Sequence, residues 1–408
     1  MQDHVSRLVG LDGFRVRGVV EEGHQLDLEV ELVARAQSCP HCHGAELEVH
    51  ERPLVAVRDL PFGGRVATLR WRKRRYRCKG CRRTHTESCA QAPPRQRLTR
   101  RFACRLAERA GSGGAHAEIA REEGISRYQV TRAMRIAAAE RTEGGPRSLP
   151  RRLSLDEAAH RRGYGNLATV LSDLDARCVH EVLDGRSAAV VKRFLGAVGE
   201  AERAAVEVVC IDPYEPYRSA VRATLPNAVI VADPFHVVRG AGMALDGVRR
   251  ARQRRARAAA PGKAGMKASW DPRLYRTRHL LLRAKERLTE SQRRRLGELF
   301  AREPAIAEAW ALKEALRSVY ATSGRAQAAE RLDRFLAEAA RSGLKPFEAY
   351  ARGMSGWREE ILAYVDQPAS NGYAEGVINK VKVIKRRAYG LPDFEGFRER
   401  VLLACGRR

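Results

Sequence analysis

Between Gln25 and Ala34 the chain reads QLDLEVELVA, with apolar and polar residues in near alternation. A period of two is what a strand with one buried face requires. Further on, DLPFGGRVATLRWRKRRYRC turns at Gly63-Gly64 and returns as another strand. From Arg97 to about Arg141 the apolar positions take helical spacing instead. GGPRSLPRR, from Gly144 to Arg152, has the composition of a linker. After it, LSLDEA, LATVLSDLD and CVHEVLDG predict three consecutive strands, and Ser187 to Glu202 a helix. VEVVCID and AVIVAD are short and almost wholly apolar, as strands buried on both faces are, and Tyr217–Thr224 predicts a helix between them. The order is β-β-β-α-β-α-β. Residues 235–365 read as helical throughout, with a loop at Ala260–Asp271. The pattern defines an α/β multidomain protein divided at 1–95, 96–145 and 150–408, the last carrying a mostly helical insertion at about 240–365.

A chain of 408 residues can build several cores. No apolar run approaches the length of a membrane span, and MQDHVSRLVG lacks the basic-then-apolar layout of a signal peptide. The expectation is a soluble cytoplasmic protein without a membrane partner. Charge changes the picture more. Lys and Arg number 76 against 49 for Asp and Glu, a formal net charge of +27. Such a field attracts polyanions, and nucleic acid is the expected partner.

Nine cysteines are present, and the first four fall in two C-x-x-C turns, Cys39-Pro-His-Cys42 and Cys78-Lys-Gly-Cys81. Two such turns bring four thiolates to one tetrahedral Zn²⁺, and the hairpin between them fits a zinc ribbon. With four protein ligands the zinc would be structural. His41, His43, His85 and Cys89 lie near enough to substitute. Cys104, Cys178, Cys210 and Cys405 stand alone and read as ordinary buried thiols. The run Arg70 to Arg83 holds nine basic residues with Trp71 and Tyr76 among them. A solvated face would read the same way, but beside a zinc ribbon Arg72 and Arg74 are expected on DNA phosphates.

AHAEIAREEGISRYQVTRAMRIAA has the layout of a helix-turn-helix. Gly124 supplies the turn, Ser126-x-x-Gln129 is a capping box, and Ile119, Ala120, Ile125, Val130 and Met134 form the buried face. Arg127, Tyr128, Gln129 and Arg132 then lie near the start of the second helix, where base edges are read.

Asp156 ends LSLD and Asp212 ends VEVVCID. A carboxylate at the end of a buried strand is costly unless paired or bound to metal. In this order of elements the first and fourth strands can lie side by side, which would bring the two acids together. Near the C-terminus, ASNGYAEGVINKVKVIKRRAYG holds five basic residues and one acid, Glu375. Asn371, Glu375, Asn379 and Lys382 share a helical face, continued by Arg386. Glu375 could merely support its helix through Lys382. Alternatively it meets a metal while Lys382 and Arg386 follow phosphates.

Leu155-Asp156-Glu157, Cys210 to Tyr217 (CIDPYEPY), Ala232 to Val238 (ADPFHVV), Ser370-Asn371-Gly372 with Glu375-Gly376, and Lys385 to Gly390 (KRRAYG) resemble, in this order, the DDE transposases of the ISL-three insertion-sequence family. The cysteine pairs and the helix-turn-helix sit where that family has them. The resemblance implies an RNase H-like catalytic core with Asp156, Asp212 and Glu375 as its triad. It implies two Mg²⁺ (or Mn²⁺) ions, roughly 3.5–4 Å apart, serving phosphodiester cleavage and strand transfer. His236, in Asp233-x-x-His236, would contact the reacting strand or leaving group. Double-stranded DNA at terminal inverted repeats and target is the implied partner, with a homodimer or higher oligomer, in a bacterial cytoplasm at the nucleoid. The basic run Arg249 to Arg257 and Trp270 would clamp or stack on DNA, or else form a solvated helix face and a core residue. Two other readings remain: a non-catalytic zinc-ribbon and helix-turn-helix regulator derived from a transposase, and a metal-dependent nuclease without strand transfer.

Overall fold

A computed structural model describes residues 6, 10–93, 97–142, 148–161, 166–258, 272–389, 391 and 393–407. The side chains of 141, 142, 257, 258, 272 and 273 are outside that description. The chain forms two compact units, Met1–Gly145 with Val381–Gly406, and Pro146–Lys380.

In the first unit, strands β1 (Phe14–Glu22), β2 (Gln25–Leu32), β3 (Leu47–Glu51), β4 (Leu54–Arg58), β5 (Val66–Arg72), β6 (Arg75–Cys78) and β7 (Thr84–Thr86) form two sheets, ordered β1-β2-β5-β4 and β3-β6-β7. The alternation in β2 does what its period requires: Leu26, Leu28, Val30 and Leu32 are buried while Asp27, Glu29 and Glu31 are not. Trp71 meets Phe14 edge-on at 5.1 Å in that core. Helices α1 (Arg100–Gly111), α2 (His116–Glu123) and α3 (Arg127–Thr142) follow. Phe102, Leu106, Ile119, Val130 and Met134 fill the space among them.

The second unit opens with β8 (Arg152–Ala159), β9 (Leu167–Asp173) and β10 (Cys178–Leu183). The helix expected over Ser187 to Glu202 breaks in two, α4 (Ala188–Gly196), capped by Ser187, and α5 (Glu200–Ala204). Then come β11 (Val208–Ile211), α6 (Glu215–Thr224) and β12 (Val229–Ala232). The sheet order is β10-β9-β8-β11-β12, with β8–β11 and β11–β12 parallel and the other pairs antiparallel. Alternation sorts the faces. Leu153, Leu155, Val209 and Ile211 join the large core, whereas Cys210 meets Val208, Val231, Ala363 and Ala369 on the other side.

The long helical region is α7 (Pro234–Ala258), α8 (Pro272–Arg276), α9 (Arg278–Leu282), α10 (Glu290–Arg302), α11 (Pro304–Val319), α12 (Arg325–Arg341), α13 (Lys345–Ser355) and α14 (Arg358–Asp366). The loop expected at Ala260–Asp271 falls outside the described residues. Helices α15 (Gly372–Arg387) and α16 (Phe394–Cys405) end the chain. The sequence division gave α16 to the third domain; it packs instead on α1 and α3 in the first unit. Arg400, buried, donates to the carbonyls of Ala110 and Gly114, both at 3.0 Å, and so closes the end of α1. Among the described residues no helix is long and apolar enough to cross a membrane.

Candidate active site and metal centre

The four N-terminal cysteines meet. Cys39 and Cys81 sulfurs are 3.7 Å apart, those of Cys42 and Cys78 3.6 Å, and all four ligand atoms lie within 4.8 Å of one another. A tetrahedron with Zn–S bonds of about 2.3 Å has edges of about 3.8 Å, so the thiols fit a structural Zn²⁺. The turns are built for it: His43 and Arg82 take positive φ, Cys39 N–H bonds Gly44 O, and Cys78 N–H bonds Arg83 O. Burial raises the Cys39 thiol, but the N–H groups of His41 and Cys42 and the neighbouring thiols outweigh it and bring it to about 7. The nearby His85 stacks on Tyr76 instead. Of the last four cysteines, Cys178, Cys210 and Cys405 are buried as expected, but Cys104 is exposed, because it falls on the outer face of α1.

Strand register builds the second site. Leu155 lies opposite Ile211 and Ile211 opposite Ala232. One residue further on, Asp156, Asp212 and Asp233 therefore stand in a row across three adjacent strands. Asp233 is fully buried and Asp156 nearly so. Burial, and after it the charge of Asp212, push Asp156 up to about 6. His236, on the first turn of α7, shares its Nδ1 between Asp212 Oδ1 and Asp233 Oδ2, 2.8 Å from each. Burial lowers the imidazole, but these two carboxylates overcome it and raise it to about 10. Asp212, Asp233 and His236 form a group able to hold a cation, their ligand atoms within 4.8 Å of one another. Asn371 reaches Asp212 and Asp233 from the segment before α15.

The expected trio thus gathers only in part. Asp156 and Asp212 come together, and His236 joins them. Glu375 is exposed in the first turn of α15, outside the close group, and the residue of that segment in contact with the acids is Asn371. Asp233 was visible in its motif, but its place in the row depends on register. Lys382 and Arg386 are exposed further along α15.

In α2 and α3, Gly124 is left-handed at φ 61°. Gln129 N–H bonds Ser126 Oγ at 3.2 Å and Ser126 N–H bonds Gln129 Oε1 at 3.0 Å, completing the expected capping box. That box occupies the Gln129 carbonyl, leaving its NH₂ end. Arg127 and Tyr128 are exposed and Arg132 half-buried. Arg72 is exposed, but Arg74 is a correction. It is buried, paired with Glu87 at 2.7 Å, and donates to the carbonyls of Leu32 and Ala34, so no phosphate can reach it. Within the basic run of α7, Arg249 pairs with Asp246 at 2.8 Å and Arg252 with Glu303 at 2.6 Å. Arg254 and Arg255 remain exposed. The Arg257 side chain and Trp270 lie outside the described residues.

A protein family described as "Transposase" matches residues 153–401, and one described as the zinc-finger of the transposases of IS204, IS1001, IS1096 and IS1165 matches residues 35–81. These matches, over the acid row and the cysteine cluster, define the class as insertion-sequence transposases. Within it, the chain belongs to the ISL-three family. It is 29% identical over 399 residues to the transposase for insertion sequence element IS1001 of Bordetella parapertussis, covering 96% of this chain and 95% of that protein. It is 31% identical over 253 residues to the transposase for insertion sequence element IS1557 of Mycobacterium tuberculosis, covering 59% of this chain and 56% of that one.

Proposed function

We propose that this transposase cleaves DNA at the terminal inverted repeats of its element and joins the freed 3′ ends to target DNA. The observation that carries the reading is the row of Asp156, Asp212 and Asp233 on neighbouring strands, in a mixed sheet ordered β10-β9-β8-β11-β12, which supports the expected RNase H-like core. Asp156 and Asp212, with Glu375 from the exposed start of α15, are the triad of this reading. Oxygen donors of this kind suit Mg²⁺ or Mn²⁺. Two such ions, when bound, would supply Lewis acidity to the attacking and leaving oxygens of an in-line displacement. The chain's own part is positional. Strand register fixes the two aspartates, and His236 holds Asp212 and Asp233 in place. No nucleophilic side chain is needed, because water and then a DNA 3′-hydroxyl attack in turn.

Arg127, Tyr128 and Arg132, with the NH₂ of Gln129, are the base-reading side of a DNA-binding helix-turn-helix. Arg72, Lys382 and Arg386 are exposed cations for phosphates. Two element ends must be joined in one event, so a homodimer is the smallest working assembly.

The test uses DNA flanking the gene, purified protein and Mg²⁺, with new 3′ ends mapped beside an Asp212→Asn control. Cuts at paired inverted repeats, absent in the control although it still binds DNA, are the expected result. Normal cleavage by Asp212→Asn would remove the acid row from the chemistry. Binding without cuts by the unaltered protein would favour a non-catalytic regulator.

A further inference from the structure

Asn371 is 2% exposed. Its main-chain N–H donates to Asp233 Oδ1 at 3.0 Å. Its side-chain Nδ2 donates to Asp212 Oδ1 at 3.3 Å and to the carbonyl of Leu155 at 3.4 Å. One residue therefore touches Asp212 and Asp233, just past the ends of β11 and β12, and the backbone of β8 beside Asp156. Its amide has a second end, however. Oδ1 is buried and has no hydrogen-bond partner among the described residues. Buried carbonyl oxygens are normally satisfied, and an orphan beside a functional cluster calls for a water or an ion.

What surrounds it narrows the choice. The groups that accept from the N–H groups of Asn371 are the Asp233 and Asp212 carboxylates and the carbonyl of Leu155, so negative charge is concentrated around this side chain. His236 already shares its Nδ1 between Asp212 and Asp233. A hard divalent cation accepts carboxylate and amide oxygens together, and it satisfies Oδ1 without a proton.

We propose that Asn371 Oδ1 is a ligand of the divalent cation bound at Asp212, while the NH₂ of the same side chain keeps that carboxylate in place. The inference rests on the reading of this cluster as a cation site. It gives the segment before α15 a direct part in the site, one turn before Glu375.

The test needs no DNA and no turnover. Mn²⁺ is titrated into the full-length, zinc-loaded protein and free Mn²⁺ is read by electron paramagnetic resonance, with thermal melts alongside. Asn371→Ala loses the oxygen, and its Mn²⁺ affinity should fall about tenfold or more. Asn371→Asp keeps an oxygen and adds charge. It should bind Mn²⁺ at least as well as the unaltered protein, melt lower without Mn²⁺ because oxygen then faces Asp212, and recover when Mn²⁺ is added. Unchanged affinity in Asn371→Ala would overturn the proposal. So would a tenfold loss in Asn371→Asp, which would reduce the amide to a brace for Asp212; that arm decides alone if Asn371→Ala does not fold. Asp212→Asn reports on the site itself. If it binds Mn²⁺ normally, the cation site is wrong; if it loses Mn²⁺ while Asn371→Ala does not, only the role of Asn371 falls.

Discussion

Arg72 and Arg74 stand two positions apart in one basic run, and the sequence treats them alike. β5 ends at Arg72, which stays in solvent, and the chain then turns so that Arg74 enters the domain beside Glu87. A buried pair is expensive to break, because removing one partner leaves the other charge unpaired. Arg74→Ala should destabilise the first unit by about 3–5 kcal/mol, read as a lower urea midpoint, whereas Arg72→Ala should shift stability by less than about 0.5 kcal/mol. Equal effects would contradict the burial. The same limit applies to Glu375 and Asn371. A lone acid in a basic helix draws notice in a sequence. Asn371, one turn earlier, shares its face and motif, but its burial and contacts are not legible there, because its partners come from residues about 140 to 220 positions away in the chain.

Elements were the most legible scale. Gly124 and the Ser126/Gln129 box depend on residues three apart, so local chemistry fixes them. The strands of the second unit follow from alternation and apolar runs for the same reason. What α16 packs against was not legible, since an amphipathic helix announces a buried face but no partner. Its packing has a measurable consequence. Burial, followed by the charges of Arg400 and Arg127, pushes His116 from 6.5 down to about 4. Burial pushes Glu399, 3.9 Å from Arg135, from 4.5 up to about 7. Between about pH 6.5 and 4 the unfolded chain binds more protons at His116, so that contribution to stability is lost as pH falls. Between about pH 4.5 and 7 the folded chain binds more at Glu399, so that contribution is lost as pH rises. His116→Gln should therefore lose less stability than the unaltered protein on acidification through this window. Glu399→Gln should gain relative stability as pH rises toward 7. Urea unfolding at several pH values reads both, and parallel profiles for all three proteins would refute the assignment.

For the molecule as a whole, the net charge of +27 foretells a polyanion partner but not which cations meet it. Each phosphate neutralised contributes about 0.9 to the salt slope of DNA affinity. Replacing Lys382 and Arg386 together should lower that slope by about 2, in filter binding across salt concentrations, and weaken binding on all sequences alike. An unchanged slope would place both cations away from phosphate. The sequence by itself determined the elements, the cysteine knuckles, the capped turn and the ordered motifs of an ISL-three transposase, because each is set by residues close together in the chain. Tertiary structure alone decided that Asp233 joins Asp156 and Asp212, that Arg74 turns inward, that α16 packs on α1 and α3, and that Asn371 meets the acid row. Each of those depends on strand register or on burial against distant segments, and neither quantity is carried by a local pattern.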